Sequence, residues 1–244
     1  MYKQSGLYVR KTLINNIVYN IYFSNLSKSW LIILPGIPQY IFKQSYIRDL
    51  IKNYSVLVPY YSGSFHSNGR FDVSSLKKTL HESINLIKNG EFYEYFEKKK
   101  YVCNTKISWV FGFSFGAIVL YDYLSSSKEG TLPTTEKLMI SPMFNISNKK
   151  LLTYWDQKLD FLSSNVYKNV YRGLKKKEII TWFKNLEKKT SLSSSGILLY
   201  GEEDKYINNL FYKEKLPNYK EVIAKGYSHE IDKLVEYFIK LNFK

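Results

Sequence analysis

The chain of 244 residues has one cysteine, Cys103, and three histidines. A lone thiol cannot close an internal disulfide, and the cysteine usage gives no sign of an oxidising compartment. Cys103 reads as a small buried hydrophobe rather than a nucleophile. So few His and Cys residues leave no ligand cluster of zinc type, and neither a metal nor an organic cofactor is expected. Long apolar runs are missing as well, since none reaches the roughly 20 residues that a bilayer-spanning helix needs. The first stretch, MYKQSGLYVRKTLINNIVYNIYF, is interrupted by polar residues every few positions and lacks the apolar core of a secretory signal. A soluble, cytoplasmic protein without a membrane span is expected. Acidic residues are scarce: 21 Asp and Glu stand against 36 Lys and Arg, a net charge of +15. Such an excess can serve a nucleic acid, an anionic membrane or an acidic carrier protein. The lysines, however, are spread along the chain among abundant Asn, Ile and Tyr, as compositional drift in an AT-rich genome would leave them. No nucleic-acid recognition motif accompanies the charge, so nucleic acid is not expected as a partner.

What is present is apolar and aromatic: 45% hydrophobic and 17% aromatic residues, enough to build a sizeable core. Two alternating segments, Leu7–Lys11 and Ile17–Phe23, predict an antiparallel hairpin or a pair of edge strands. Compact apolar runs follow at Trp30–Leu34, Ser55–Pro59, Ile107–Phe111, Lys137–Ile140, Ile197–Tyr200 and Glu221–Ala224. Runs of this kind suit parallel strands covered on both faces. Helical periods lie between them. Ile41, Ile47, Leu50 and Ile51 form one apolar face, and Leu76, Leu80, Ile84 and Ile87 another, with Asp72 or Ser74 available as N-cap. Ile231, Leu234, Val235, Phe238 and Ile239 mark a C-terminal helix. The alternation predicts an α/β fold with a mostly parallel sheet and helices on both faces. One region breaks the rhythm. Two helical patterns, Lys150–Leu162 and Lys175–Lys188, separate one predicted strand from the next. That is too long for an ordinary connection. We read residues 1–144 and 190–244 as the core domain and 145–189 as a helical segment, either a cap insertion or two ordinary surface helices.

The segment Gly112-Phe113-Ser114-Phe115-Gly116 fits G-x-S-x-G, after a strand and before a helix. In that context the serine sits on a strained turn, its flanking positions must be small, and the helix N-terminus faces its hydroxyl. A serine hydroxyl is a poor nucleophile at neutral pH and needs a base. His81 falls inside an amphipathic helix and His66 in a Gly/Ser-rich loop. His229, in "GYSHE", lies between the last strand and the last helix, at the carboxyl-end face where open α/β sheets bind ligands. The histidine in turn needs an acid. "GEED" follows the strand "ILLY", with Asp204 the first choice and Glu203 the second.

With "GFSFG", "GEED" and "GYSHE" in that order, the chain resembles the α/β-hydrolase superfamily, from the strand at Trp30 to the end of the last helix. The resemblance implies a serine hydrolase with Ser114 as nucleophile, Asp204 as acid and His229 as base. "LPGIP" is similar to the family's oxyanion loop, although Pro35 stands where a histidine is usual. It implies the backbone N–H groups of Ile37 and Phe115 as oxyanion donors. The substrate class expected is an ester or thioester, a small molecule or an acyl group on an acidic carrier protein. A serine peptidase or amidase and a non-catalytic binding protein of the same fold are the alternatives, and the oligomeric state is open. Phe113 beside the serine, and Tyr154, Trp155 and Trp182 in the insertion, are the candidate substrate-binding side chains. An aromatic cap of that kind favours an apolar acyl group.

Overall fold

The chain is described by a computed structural model covering residues 8–38, 44–126, 132 and 134–243. Leu7 and Ile41, part of the expected first strand and first helix, lie outside these residues. The chain opens with a hairpin of β1 (Tyr8–Ile14) and β2 (Ile17–Phe23). Its two linking residues, Asn15 and Asn16, have φ of 50° and 69°, the left-handed pair that a two-residue hairpin turn requires. Then come β3 (Trp30–Leu34), α1 (Gln44–Leu50), β4 (Ser55–Pro59) and α2 (Val73–Lys88). Asp72 is the N-cap of α2. It accepts from the Ser75 N–H while the Ser75 side chain accepts from the Asp72 N–H, which satisfies two orphan donors at once.

A small hairpin follows, β5 (Glu91–Tyr93) with β6 (Lys100–Val102), and then β7 (Ile107–Phe113), α3 (Phe115–Ser126) and β8 (Glu136–Ile140). The long connection holds α4 (Lys149–Ser163) and α5 (Lys176–Glu187). The chain finishes with β9 (Gly196–Gly201), α6 (Asn209–Lys215), β10 (Tyr219–Ala224) and α7 (Ile231–Asn242). β5, β6 and α6 were not expected from the sequence, because strands of three residues and a helix of seven carry too little periodicity to register.

Eight strands form one sheet in the order β1-β2-β4-β3-β7-β8-β9-β10. β1–β2 and β2–β4 are antiparallel and every other pair is parallel. From β3 the chain steps outward to β4, then crosses back to β7 on the other side of β3. The carboxyl ends of β3 and β7 are therefore a topological switch point, where the loops diverge and leave a crevice.

The period of two along each strand divides the core. On β3, Trp30, Ile32 and Leu34 face α2, α3, α4 and α5, while Leu31 and Ile33 face α1 and α7. The apolar rows of both α4 and α5 (Leu151, Trp155, Leu159; Ile179, Trp182, Phe183) belong to the first of these two clusters. They are continuous with the sheet's own covering. Cys103 is half-buried rather than fully buried, and burial pushes its thiol up to about 11. No helix among the described residues is long and apolar enough to cross a membrane.

Candidate active site

Ser114 stands alone between the end of β7 and the start of α3, with φ at 51°. A non-glycine residue in this region costs about 1–3 kcal/mol, so the surroundings must enforce it. They do so from three sides. The Ser114 N–H donates to the Ile140 carbonyl at the end of β8 (2.8 Å), and the Ser114 carbonyl accepts from the Ala117 N–H (3.1 Å). A Cβ on Gly112 would lie 2.6 Å from the Ala117 Cα, and one on Gly116 would lie 2.1 Å from the Leu34 carbonyl oxygen. The pentapeptide spacing is thus a packing requirement. The glycines let α3 close onto β7, and let the end of β3 cross directly over the helix start.

His229 sits in the short loop between β10 and α7. Its Nε2 is 3.3 Å from Ser114 Oγ and its Nδ1 is 2.8 Å from Asp204 Oδ2. A serine–histidine distance of this length is ordinary in a site without substrate. The Asp204 side chain is wholly buried (0% exposed), and its other oxygen accepts from the Tyr206 N–H at 3.1 Å. Glu203, the second choice for the acid, is exposed, and its backbone N–H binds the Tyr227 carbonyl (2.9 Å). The meeting of Asp204 and His229 depends on Gly201. A Cβ there would come within 2.2 Å of the Tyr227 oxygen and 2.5 Å of the Ser228 oxygen, so only glycine lets the two loops touch. His66 and His81 are both exposed and do not line the cleft over Ser114: His66 packs edge-on against Tyr60 after β4, and His81 is on α2.

A cleft of about 440 Å³ opens over Ser114, within the usual range for a small-molecule site. Pro35, Gly36 and Ile37 form one wall, Phe113 and His229 flank the serine, and the first residues of α7 form the mouth. The backbone N–H groups of Ile37 and Phe115 have no acceptor among the described residues. Phe115 is at the first position of α3, where N–H groups are left free by helix geometry. The loop carrying Ile37 is pinned by the fully buried Tyr61, whose hydroxyl donates to the Pro35 carbonyl at 2.8 Å. A carboxylate at Nδ1 favours the tautomer with its proton on that nitrogen, which turns the Nε2 lone pair toward Ser114 Oγ.

Of the four side chains expected to bind substrate, Phe113 and Tyr154 line the cleft. Trp155 and Trp182 do not line it. Both are buried behind the serine turn, with Phe183, around the ring of Phe115 at centroid distances of 5.9, 5.7 and 6.4 Å. Their indole N–H groups are spent inside the protein. Trp155 donates to the Met143 carbonyl (2.6 Å) and Trp182 to Asp122 Oδ2 (2.8 Å). Asp122, buried in the apolar helix α3, also holds Lys189 at 2.6 Å. With the Trp182 bond, that ion pair fixes the C-terminal end of the 145–189 segment to α3.

Only α4 reaches the cleft, through Tyr154 and Lys158. Lys158 was missed in the sequence. Its signal was the row Leu151, Trp155, Leu159 and Leu162, which turns Tyr154 and Lys158 together onto the neighbouring flank of the helix. Tyr61 had no signal at all, being one of 23 tyrosines.

No protein-family pattern and no curated protein matches the chain. Solved structures do. A serine hydrolase homologue from Coxiella burnetii aligns over 99% of this chain and 97% of its own, with a TM-score of 0.55 and 13% identity. A marine microorganism esterase aligns over 98% and 99%, at 0.57 and 17%. An epoxide hydrolase from Vigna radiata aligns over 99% of both chains, at 0.59 and 11%. Likeness at such identities is likeness of fold, and the different activities carried by these three proteins leave the chemistry to be argued from the site.

Proposed function

We propose that this chain, which has the α/β-hydrolase fold, is a serine hydrolase that cleaves a small ester or thioester through an acyl-enzyme. The observation that carries the reading is the continuous relay of Ser114, His229 and Asp204, at 3.3 and 2.8 Å. Ser114 Oγ attacks the acyl carbon as His229 Nε2 takes its proton. The oxyanion that forms is met by the N–H groups of Ile37 and Phe115, which are fixed before substrate arrives and need no reorganisation. The protonated His229, stabilised by buried Asp204, returns the proton to the departing alkoxide or thiolate. Water then enters, gives its proton to His229, and releases the acid from Ser114.

The strained serine and the aromatic packing behind Phe115 support the same reading, since both hold the reacting groups in register. The expectation of an apolar acyl chain rests on Phe113 and on Tyr154 of α4, which forms one wall of the cleft, while Trp155 and Trp182 pack in the core. A series of p-nitrophenyl esters of increasing chain length, with matched thioesters and anilides alongside, tests the proposal. Ser114-dependent turnover of the esters or thioesters supports it. Turnover of the anilides alone would favour an amidase, and none at all a binding protein.

A further inference from the structure

Several charged groups line the cleft without a part in the chemistry above: Lys158, Glu230, Asp232 and Lys233. Lys158 projects from α4 beside Tyr154, one helical turn away on the same flank, and is half-buried in the cleft wall. It makes no ion pair and no hydrogen bond among the described residues. Lys233, the other cation lining the cleft among the described residues, is exposed and holds Glu230 at 2.5 Å. Burial pushes the Lys158 ammonium below the ordinary lysine value, and the two carboxylates that line the same cleft, Glu230 and Asp232, make no ion pair with it. A half-buried ammonium with no partner among the described residues gains from a ligand that supplies the counter-charge.

We propose that Lys158 recognises an anionic oxygen group, a carboxylate or a phosphate, on the ester that this cleft cleaves. The inference rests on the reading of the cleft as a hydrolase site. The anion would sit across the cleft from the scissile bond, against Tyr154, with its charge met by Lys158. Tyr154 itself is braced by Tyr206 (4.9 Å between centroids), and Tyr206 packs edge-on against His229 (5.9 Å). A substrate anchored at Lys158 is therefore anchored on the same rigid aromatic wall that borders the base.

Three matched pairs of esters locate and identify the anion. Mono-4-nitrophenyl glutarate against its methyl ester carries it on the acyl side. 4-Acetoxybenzoate against its methyl ester carries it on the alcohol side. 4-Acetoxyphenyl phosphate against its dimethyl ester separates phosphate from carboxylate. In at least one pair the wild type should favour the anionic member in kcat/KM, and Lys158→Met should lower that ratio by about 10-fold or more, the usual worth of a charge-assisted hydrogen bond. Lys158→Arg should keep most of the ratio, and Lys158→Glu should lower it further. Methionine preserves the aliphatic stem's packing, so a change of ratio reports charge.

Calorimetric binding of mono-4-nitrophenyl glutarate and 4-acetoxyphenyl phosphate to Ser114→Ala, with and without Lys158→Met, needs no turnover. Loss of binding on Lys158→Met while no ester is hydrolysed would remove the hydrolase reading and leave the anion site. Normal ester hydrolysis with unchanged ratios and unchanged binding in Lys158→Met would overturn the anion site alone.

Discussion

Asp204→Asn is the sharpest single perturbation of the relay, because the structure dictates how the amide must sit. One carboxylate oxygen accepts from the Tyr206 N–H at 3.1 Å and the other faces His229 Nδ1 at 2.8 Å. In the asparagine variant only one atom of the amide can accept. The Tyr206 N–H claims that oxygen, so the NH₂ is turned toward Nδ1. An NH₂ donor at Nδ1 forces the imidazole proton onto Nε2, the nitrogen that must take the proton from Ser114. The base is then present in the wrong tautomer, and no charge remains to stabilise an imidazolium. The expected loss is about 10⁴-fold in kcat, or ~5 kcal/mol of barrier, with little change in KM. The assay is steady-state hydrolysis of the best p-nitrophenyl ester, with circular dichroism to verify that the variant is folded. Glu203→Gln is the control, since that side chain is exposed. A loss of less than about 10-fold for Asp204→Asn, or a larger loss for Glu203→Gln, would refute the reasoning.

Three further outcomes are expected. Gly201→Ala places a methyl group 2.2 Å from the Tyr227 oxygen and must separate the acid turn from the histidine loop. It should lower kcat by about 100-fold or more, as misplacement of about 1 Å does, and a variant of near-wild-type rate would show the two loops to be slack. Tyr61→Phe leaves the Pro35 carbonyl without its buried donor and should lower kcat by about 10-fold, roughly the worth of one hydrogen bond, with KM almost unchanged; a KM effect alone would place Tyr61 outside the positioning of Ile37. Asp122→Ala leaves the Trp182 N–H unpaired and Lys189 without its counter-charge, with only the Ser125 and Ser126 hydroxyls as partners, and should cost about 3 kcal/mol, a fall of roughly 6–12 °C in Tm by calorimetry; an unchanged Tm would mean that the ion pair does not hold the end of 145–189 to α3.

The parts of the fold legible in the sequence are those where sterics leave few choices. The runs WLIIL and SVLVP are apolar at every position because both faces of their strands are covered, and both strands lie where expected. The serine turn was legible because Gly112 and Gly116 are places where a side chain cannot fit. Asp204 and His229 were found by position relative to the last strands, and the side chains do meet. The role of the aromatic residues in 145–189 was not legible. A tryptophan facing the sheet and one facing a substrate have the same periodicity, and the difference lies in Asp122. That carboxylate stands inside "AIVLYDYL", where it needs a buried partner, and the indole of Trp182 and the ammonium of Lys189 come to it. An acid in an apolar helix was the available clue that the segment packs inward. That Lys158 pairs with no described residue could not be read at all, since pairing depends on contacts that only the folded chain defines.

The central claim is that Ser114 is an activated nucleophile, and covalent capture tests it most directly. Treatment of the purified protein with a fluorophosphonate, followed by intact mass spectrometry and peptide mapping, should give a single adduct on Ser114. The adduct should be absent in Ser114→Ala and form far more slowly in His229→Ala, while His66→Ala and His81→Ala label as the wild type does. An unmodified Ser114 after prolonged exposure of the folded protein, or an adduct that forms at the same rate without His229, would contradict the account.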